Sequence, residues 1–286
     1  MPDQITAPEQ PIEKIFSEEF LFSIPGYQRP YAWTTEQAGE LFDDLSDAMR
    51  AQAGAVREIP PYFLGSIVLT KVPSEGARPR HHVIDGQQRL TTLTILLSAL
   101  RDCLDSDVGL HLTSMIYERG NPIRGHREQF RLQLREKDRV FFEEQIQREG
   151  MIGKLASGDS KLSDSQGKIR ENARLLLERV RTLSADEMFR LTQFIAQRCY
   201  LVVVATPDRD SAYRIFAVMN SRGLDLAPTD ILKSEILGGI EEADQLKYER
   251  KWEEVEDQLG RDPFTELFSH IRMIYRQAKP KGTLLK

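Results

Sequence analysis

Residues 82–104 read HVIDGQQRLTTLTILLSALRDCL: a strand that ends in Asp85 and passes through one glycine, Gly86, straight into a helix. Leu90, Leu93, Leu97 and Leu100 recur every three or four residues, which predicts a helix over about 87–104. Upstream, YFLGSIVLTK (residues 62–71) predicts a strong strand, with a proline-bounded loop over 73–79 between the two strands. Strand and helix in direct succession make the first hundred residues a mixture of both.

The surrounding sequence fits that frame. Ile12, Ile15, Phe16 and Phe20 predict a short helix over 12–20, and the apolar stretch after it a strand running into the Pro25-Gly26 turn. Thr34 or Thr35 begins another helix, with Leu41, Phe42, Leu45 and Met49 at helical spacing. Further on, the pattern predicts a strand at 130–134, helices at 137–148, 168–183 and 185–198, and a buried strand at 199–205. The Gly- and Ser-rich stretch 151–167 reads as a flexible connection. A helix is expected at 211–220, then mostly helix from 228 to 279. The expected class is α+β, with a small mixed sheet and helices in residues 12–105. A mainly helical region follows at 106–286, with its strand near 199–205.

A chain of 286 residues folded as one globule buries about three-quarters of its surface, ample for an apolar core. The net charge of −5 excludes a uniformly basic nucleic-acid coat but not a local basic site. Residues 119–148 carry eight Lys/Arg against five Asp/Glu, the better candidate for a polynucleotide surface; residues 235–262 carry ten acids against four bases. Cys103 and Cys199 are expected to be free thiols in a reducing cytosol. The first eleven residues read as a tail and not a signal peptide, and no apolar run is long enough to span a bilayer. A cytoplasmic location without membrane contact follows as the expectation. No phosphate-binding G-x-x-x-x-G-K-[ST], dinucleotide G-x-G-x-x-G, H-E-x-x-H or C-x-x-C is present, and no histidine has zinc-site spacing. No protein metal centre is expected.

Three polar insertions at the ends of apolar elements remain. In the first, Asp85-Gly86-Gln87-Gln88-Arg89, the first helical turn offers free N–H groups to an anion. Arg89 adds a donor suited to phosphate. Gln87 and Gln88 suit the orientation of a water, and Asp85 suits a water or metal ion; equally, Asp85 caps the helix. In the second, Pro25–Trp33, the rings of Tyr27, Tyr31 and Trp33 lie beside Gln28 and Arg29 in a proline-fixed loop, a pattern that stacks on bases or cradles phosphate. Packing of Tyr31 and Trp33 beneath that loop is the alternative. In the third, MNSRGLDLAPTDILK, Asn220, Arg222 and Lys233 suit closure over a phosphate, though Asp230 and Lys233 also stand at pairing distance on one helix.

Together and in this order, IPGYQRPYAW, FLGSIVL, VIDGQQRLTTL and IFAVMNSRGLDLAPTDILK resemble the N-terminal domain of GmrSD-type, modification-dependent restriction proteins, a domain similar to one in phosphorothioate-sensing anti-phage defence proteins. The resemblance covers about residues 12–240. It implies a core like that of ParB and sulfiredoxin, and nucleoside-triphosphate binding and hydrolysis coupled to DNA restriction. The nucleotide so implied is GTP, ATP or another triphosphate, with Mg²⁺. Asp85, Gln87, Gln88 and Arg89 would then be catalytic. Gly86, Gln28, Arg29, Asn220, Arg222 and Lys233 would bind nucleotide or phosphate, and Tyr27, Tyr31 and Trp33 would sense the modified DNA. Implied partners are modified DNA and a nuclease domain or subunit, since family members usually continue into a His-Asn-His nuclease; self-association stays open. A piece of a longer nuclease-bearing protein is the expectation, with a separate sensor subunit as the other form. Two further readings of the residues stand beside this one: a non-catalytic adaptor clamping backbone phosphate, and a metal-dependent nicking enzyme built on Asp85.

Overall fold

The computed structural model describes residues 7–72, 80–104, 106–120, 128–155, 162–206, 211–212, 215, 229, 232–233, 236–237, 239–240 and 242–277. The chain forms two compact units. The first is Met1–Pro25 with Pro30–Phe216, and the second is Gly26–Arg29 with Ala217–Lys286.

The first unit is built on a six-stranded mixed sheet ordered β1-β8-β3-β4-β2-β7. Its strands are β1 (Glu9–Pro11), β2 (Phe22–Ser23), β3 (Tyr62–Val72), β4 (Arg80–Asp85), β7 (Leu132–Gln133) and β8 (Cys199–Thr206). β3 pairs antiparallel with β4 and parallel with β8, so the two strongest strands in the sequence lie at the centre with β8. The α+β class is therefore as expected, but the sheet is not confined to residues 12–105. β8 enters it from far along the chain because CYLVVVAT is almost wholly apolar: Cys199, Leu201, Val203 and Val204 are buried, while Tyr200 and Val202 are half-buried.

Against this sheet stands α3 (Gln87–Cys103), fourteen of whose seventeen residues are buried. Thr91, Thr92, Thr94 and Ser98 are among them, each hydroxyl donating to the carbonyl four residues back. That back-bonding satisfies polar groups in the core and lets helices pack around the whole circumference of α3. Packed on it are α4 (Ser106–Ile116), α6 (Asp164–Arg181) and α7 (Ala185–Arg198), with α2 (Thr35–Arg50) against α6 and α7 and α5 (Glu136–Phe142) against α6.

Several elements differ from expectation for identifiable reasons. The helix expected over 12–20 is only α1 (Ile12–Ile15), because the Ser17 hydroxyl donates to Lys14 O and accepts from Glu19 N, turning the chain away. The strand expected at 130–134 divides at Arg131 between β6 (Gln129–Phe130) and β7. β6 pairs with β5 (Tyr117–Glu118) in a separate ribbon, while Arg131 O accepts from Phe22 N at 2.7 Å. The helix expected over 137–148 ends in a π-helical turn, Glu143–Gln147, whose carbonyl end is held by the buried Arg101 guanidinium, donating to Gln147 O at 2.8 Å and Arg148 O at 3.0 Å. α6 begins at Asp164, inside the expected connection, because Ser163 and Gln166 form a capping box. α4 had no counterpart in the sequence reading.

The second unit contains α8 (Glu242–Leu259) and α9 (Arg261–Arg276), joined by Gly260 at φ +79°. Trp252 stacks on Phe268 at 5.0 Å between ring centroids, and Phe264 meets both edge-on. The helix expected at 211–220 and most of the third polar insertion lie outside the described residues. Both cysteines are free. Among the described residues, no helix is long and apolar enough to cross a membrane.

Candidate functional site

The turn from β4 into α3 is a backbone constraint before it is a site. Gly86 sits at φ +90°, where L side chains are strained, and a Cβ there would lie 2.5 Å from Ile67 Cγ2. Only glycine lets β4 turn into α3 against β3. The first helical bond is Leu90 N to Gly86 O at 3.0 Å, and no side chain caps the helix. The N–H groups of Gln87, Gln88 and Arg89 thus lack helical acceptors at the positive end of the helix dipole.

Arg89 extends from this turn to β3. Its Nη1 donates to Ser66 O at 3.1 Å, and its guanidinium lies flat against Gly65, where a Cβ would come 3.2 Å from Nη2. Gly65, at φ +98°, is the extra residue of a bulge: three steps of β3, Phe63 to Ser66, face two of β8, Tyr200 to Val202. The bulge makes the space that Arg89 occupies. Burial lowers the affinity of the guanidinium for its proton, an effect the Asp85 carboxylate partly offsets. Among the described residues Arg89 has no ion pair, and its other N–H groups are open to a ligand. The Gln87 side chain, although buried, likewise makes no hydrogen bond among the described residues. Asp85 is half-buried at the end of β4, opposite Val68.

Gln88 does something different. Its Oε1 accepts from Ala32 N at 2.7 Å and Trp33 N at 3.2 Å, and its Nε2 donates to Pro30 O at 3.1 Å. One amide therefore fastens residues 30–33 to the start of α3. Tyr31 completes the fastening. Thr92 Oγ1 donates to Gln88 O at 2.9 Å, so the Tyr31 hydroxyl donates to Thr92 at 2.8 Å and accepts from Asn172 Nδ2 at 2.7 Å. Asn172 also holds Trp33 O at 2.9 Å. Tyr31 is only 4% exposed, and burial pushes its hydroxyl up to about 12. Tyr31, expected on a DNA-facing surface, is thus a core residue: the apolar ring and a satisfied hydroxyl make burial favourable. Trp33 is half-buried and packs against the same core.

The remaining candidates fall elsewhere. Tyr27, Gln28 and Arg29 belong to the second unit, where Tyr27 is buried. Lys233 is there too, 2% exposed, with its ammonium 3.4 Å from Glu253 of α8. Asn220 and Arg222 lie outside the described residues. In the basic stretch 119–148, Arg131 and Arg135 are buried, Arg135 pairing with Asp138 at 3.0 Å, while Arg119 and Arg148 are engaged by Glu149, Glu144 and Glu128. Among the described residues of that stretch, four of the six basic side chains are thus internal or paired with acids, while Lys137 and Arg139 are exposed. The sequence reading missed Asn172, Thr92 and Gly65. Asn172 leaves a trace: a polar side chain on the α6 face that carries Ile169, Ala173 and Leu176.

The first unit is thus an α+β domain whose strand-to-helix turn presents a guanidinium without an ion pair among the described residues. The chain belongs to the family described as GmrSD restriction endonuclease, N-terminal domain, which matches residues 12–237, and it is accordingly a component of a restriction system. Among curated proteins no match was found.

Proposed function

We propose that the chain is the triphosphate-binding and -hydrolysing sensor of a modification-dependent restriction system, with phosphate held at Gly86–Arg89. The observation that carries this reading is the half-buried Arg89 guanidinium, without an ion pair among the described residues, beside uncapped helix N–H groups. A cation taken partly out of water gains most from an anion that completes its hydrogen bonds.

Each residue has a chemical task on this reading. Gly86 exposes the helix N–H groups to the phosphate oxygens, and Arg89 stabilises the charge that develops during phosphoryl transfer. Gln87, with its amide uncommitted, orients the attacking water. Gln88 positions the turn by holding residues 30–33. A bound Mg²⁺ would supply further charge neutralisation. Among the described residues no three metal-type ligands gather, so the ion would be held by Asp85 and the phosphates themselves. Recognition of modified DNA is assigned to the half-buried Gln28 and Arg29, and the cutting step to a nuclease partner.

Phosphate release with each of four triphosphates, with and without modified and unmodified duplexes, tests the proposal. Hydrolysis is expected to rise with modified DNA and to be lost in Arg89→Ala. A full-rate Arg89→Ala protein would overturn it.

A further inference from the structure

Next to Arg89 the sheet carries an aromatic pair that packing does not require. Phe63 is 55% exposed, the most open phenylalanine among the described residues, although it lies in a central strand. Its cross-strand partner is Tyr200, with ring centroids 6.0 Å apart and planes inclined by 40°. Ser66 and Val202 pair one step further along and are only half-buried, so this face of β3 and β8 is open over several residues. Leu64, pointing the other way, is buried. The core therefore claims the opposite face and leaves the Phe63–Tyr200 face to water. Phe63 stands at the start of β3, beyond the residues that pair with β4, and two aromatic rings exposed side by side there call for a ligand more than a scattered surface side chain does.

The bulge at Gly65 links this pair to the cation. Phe63 lies two residues from Gly65, about 7 Å at the strand rise, and the guanidinium of Arg89 rests on Gly65. A pair of exposed, mutually inclined rings thus stands two residues along β3 from the residue on which the Arg89 guanidinium rests. A backbone separation of about 7 Å is of the order of that between a nucleobase and its first phosphates.

We propose that Phe63 and Tyr200 form the base-stacking subsite of the nucleotide site, so that its ligand is a nucleoside triphosphate and not a bare polyphosphate or a backbone phosphate of duplex DNA. This rests on the phosphate assignment at Gly86–Arg89. Every base has a face that stacks on an aromatic ring, so the platform supplies affinity with little base preference.

The test compares binding of a nucleoside triphosphate and of inorganic tripolyphosphate to the full chain, by calorimetry. Removing one stacked ring is expected to weaken nucleotide binding roughly 5- to 150-fold. Phe63→Ala should show that loss with tripolyphosphate affinity unchanged, whereas Arg89→Ala weakens both ligands. As a direct readout, Phe63→Trp should gain fluorescence that nucleotide quenches and tripolyphosphate does not. Equal nucleotide affinity in wild type and Phe63→Ala overturns the platform and leaves the phosphate site standing. Loss of both ligands in Phe63→Ala, with the fold intact by circular dichroism, also overturns it. Wild-type protein that binds neither ligand refutes the phosphate site and the platform with it.

Discussion

Two residues of one pentapeptide show how differently neighbouring side chains are used. Gln88 and Arg89 are adjacent, yet the amide of Gln88 is wholly engaged by residues 30–33 while Arg89 keeps N–H groups open beside Gly65. Composition could not separate them, since either suits a phosphate. The difference comes from where α3 points each position: Gln88 toward the 30–33 segment, Arg89 toward the β3 bulge. Gly86, by contrast, was legible, because a strand that becomes a helix within one residue needs a positive φ. Gly86→Ala adds a methyl at 2.5 Å from Ile67 and strains the backbone, so it should destabilise the first unit by about 3 kcal/mol. Urea unfolding followed by circular dichroism measures this; a midpoint equal to wild type would show that the turn relaxes freely.

At the scale of elements, strong local signals survived and weak ones yielded to tertiary contacts. β3, β4, α3, α7 and β8 lie close to their expected positions because apolar periodicity and burial coincide in them. Boundaries moved wherever a side chain captured the backbone, as Ser17 does at the end of α1 and Ser163 at the start of α6. α4 escaped notice although Leu112, Met115 and Ile116 share a buried face, because exposed Leu110 and Gly109 blur the period. The α6 cap carries a measurable consequence. Ser163→Ala removes an acceptor for Gln166 N and should cost about 1 kcal/mol, read as a lowered unfolding midpoint. No change in that midpoint would assign the start of α6 to packing alone.

The folded molecule keeps its neutral tyrosine and thiol only while they hold their protons. Burial pushes the Tyr31 hydroxyl up to about 12 and raises the Cys199 thiol as well. An unfolded tyrosine titrates near 10, so above that pH the unfolded chain releases a proton that the folded chain retains. Stability is therefore intact below about pH 10 and falls as pH rises toward 12, by about 3 kcal/mol from Tyr31 over those two units. Tyr31→Phe should flatten its share of that fall; an unchanged alkaline slope would mean the hydroxyl reaches water. Charge at this scale is uneven too. Residues 235–262 carry a net charge of −6, ten acids against four bases, so the −5 of the chain describes that stretch and not the strand-to-helix turn. The turn is the centre of the account, and equilibrium binding of a nucleoside triphosphate to wild type and Arg89→Ala tests it most directly. Binding to wild type, weakened at least tenfold in a folded Arg89→Ala protein, is the predicted result, in line with a charge-assisted contact of about 1.5–3 kcal/mol. Equal affinity in the two proteins, or no binding to wild type, would contradict it.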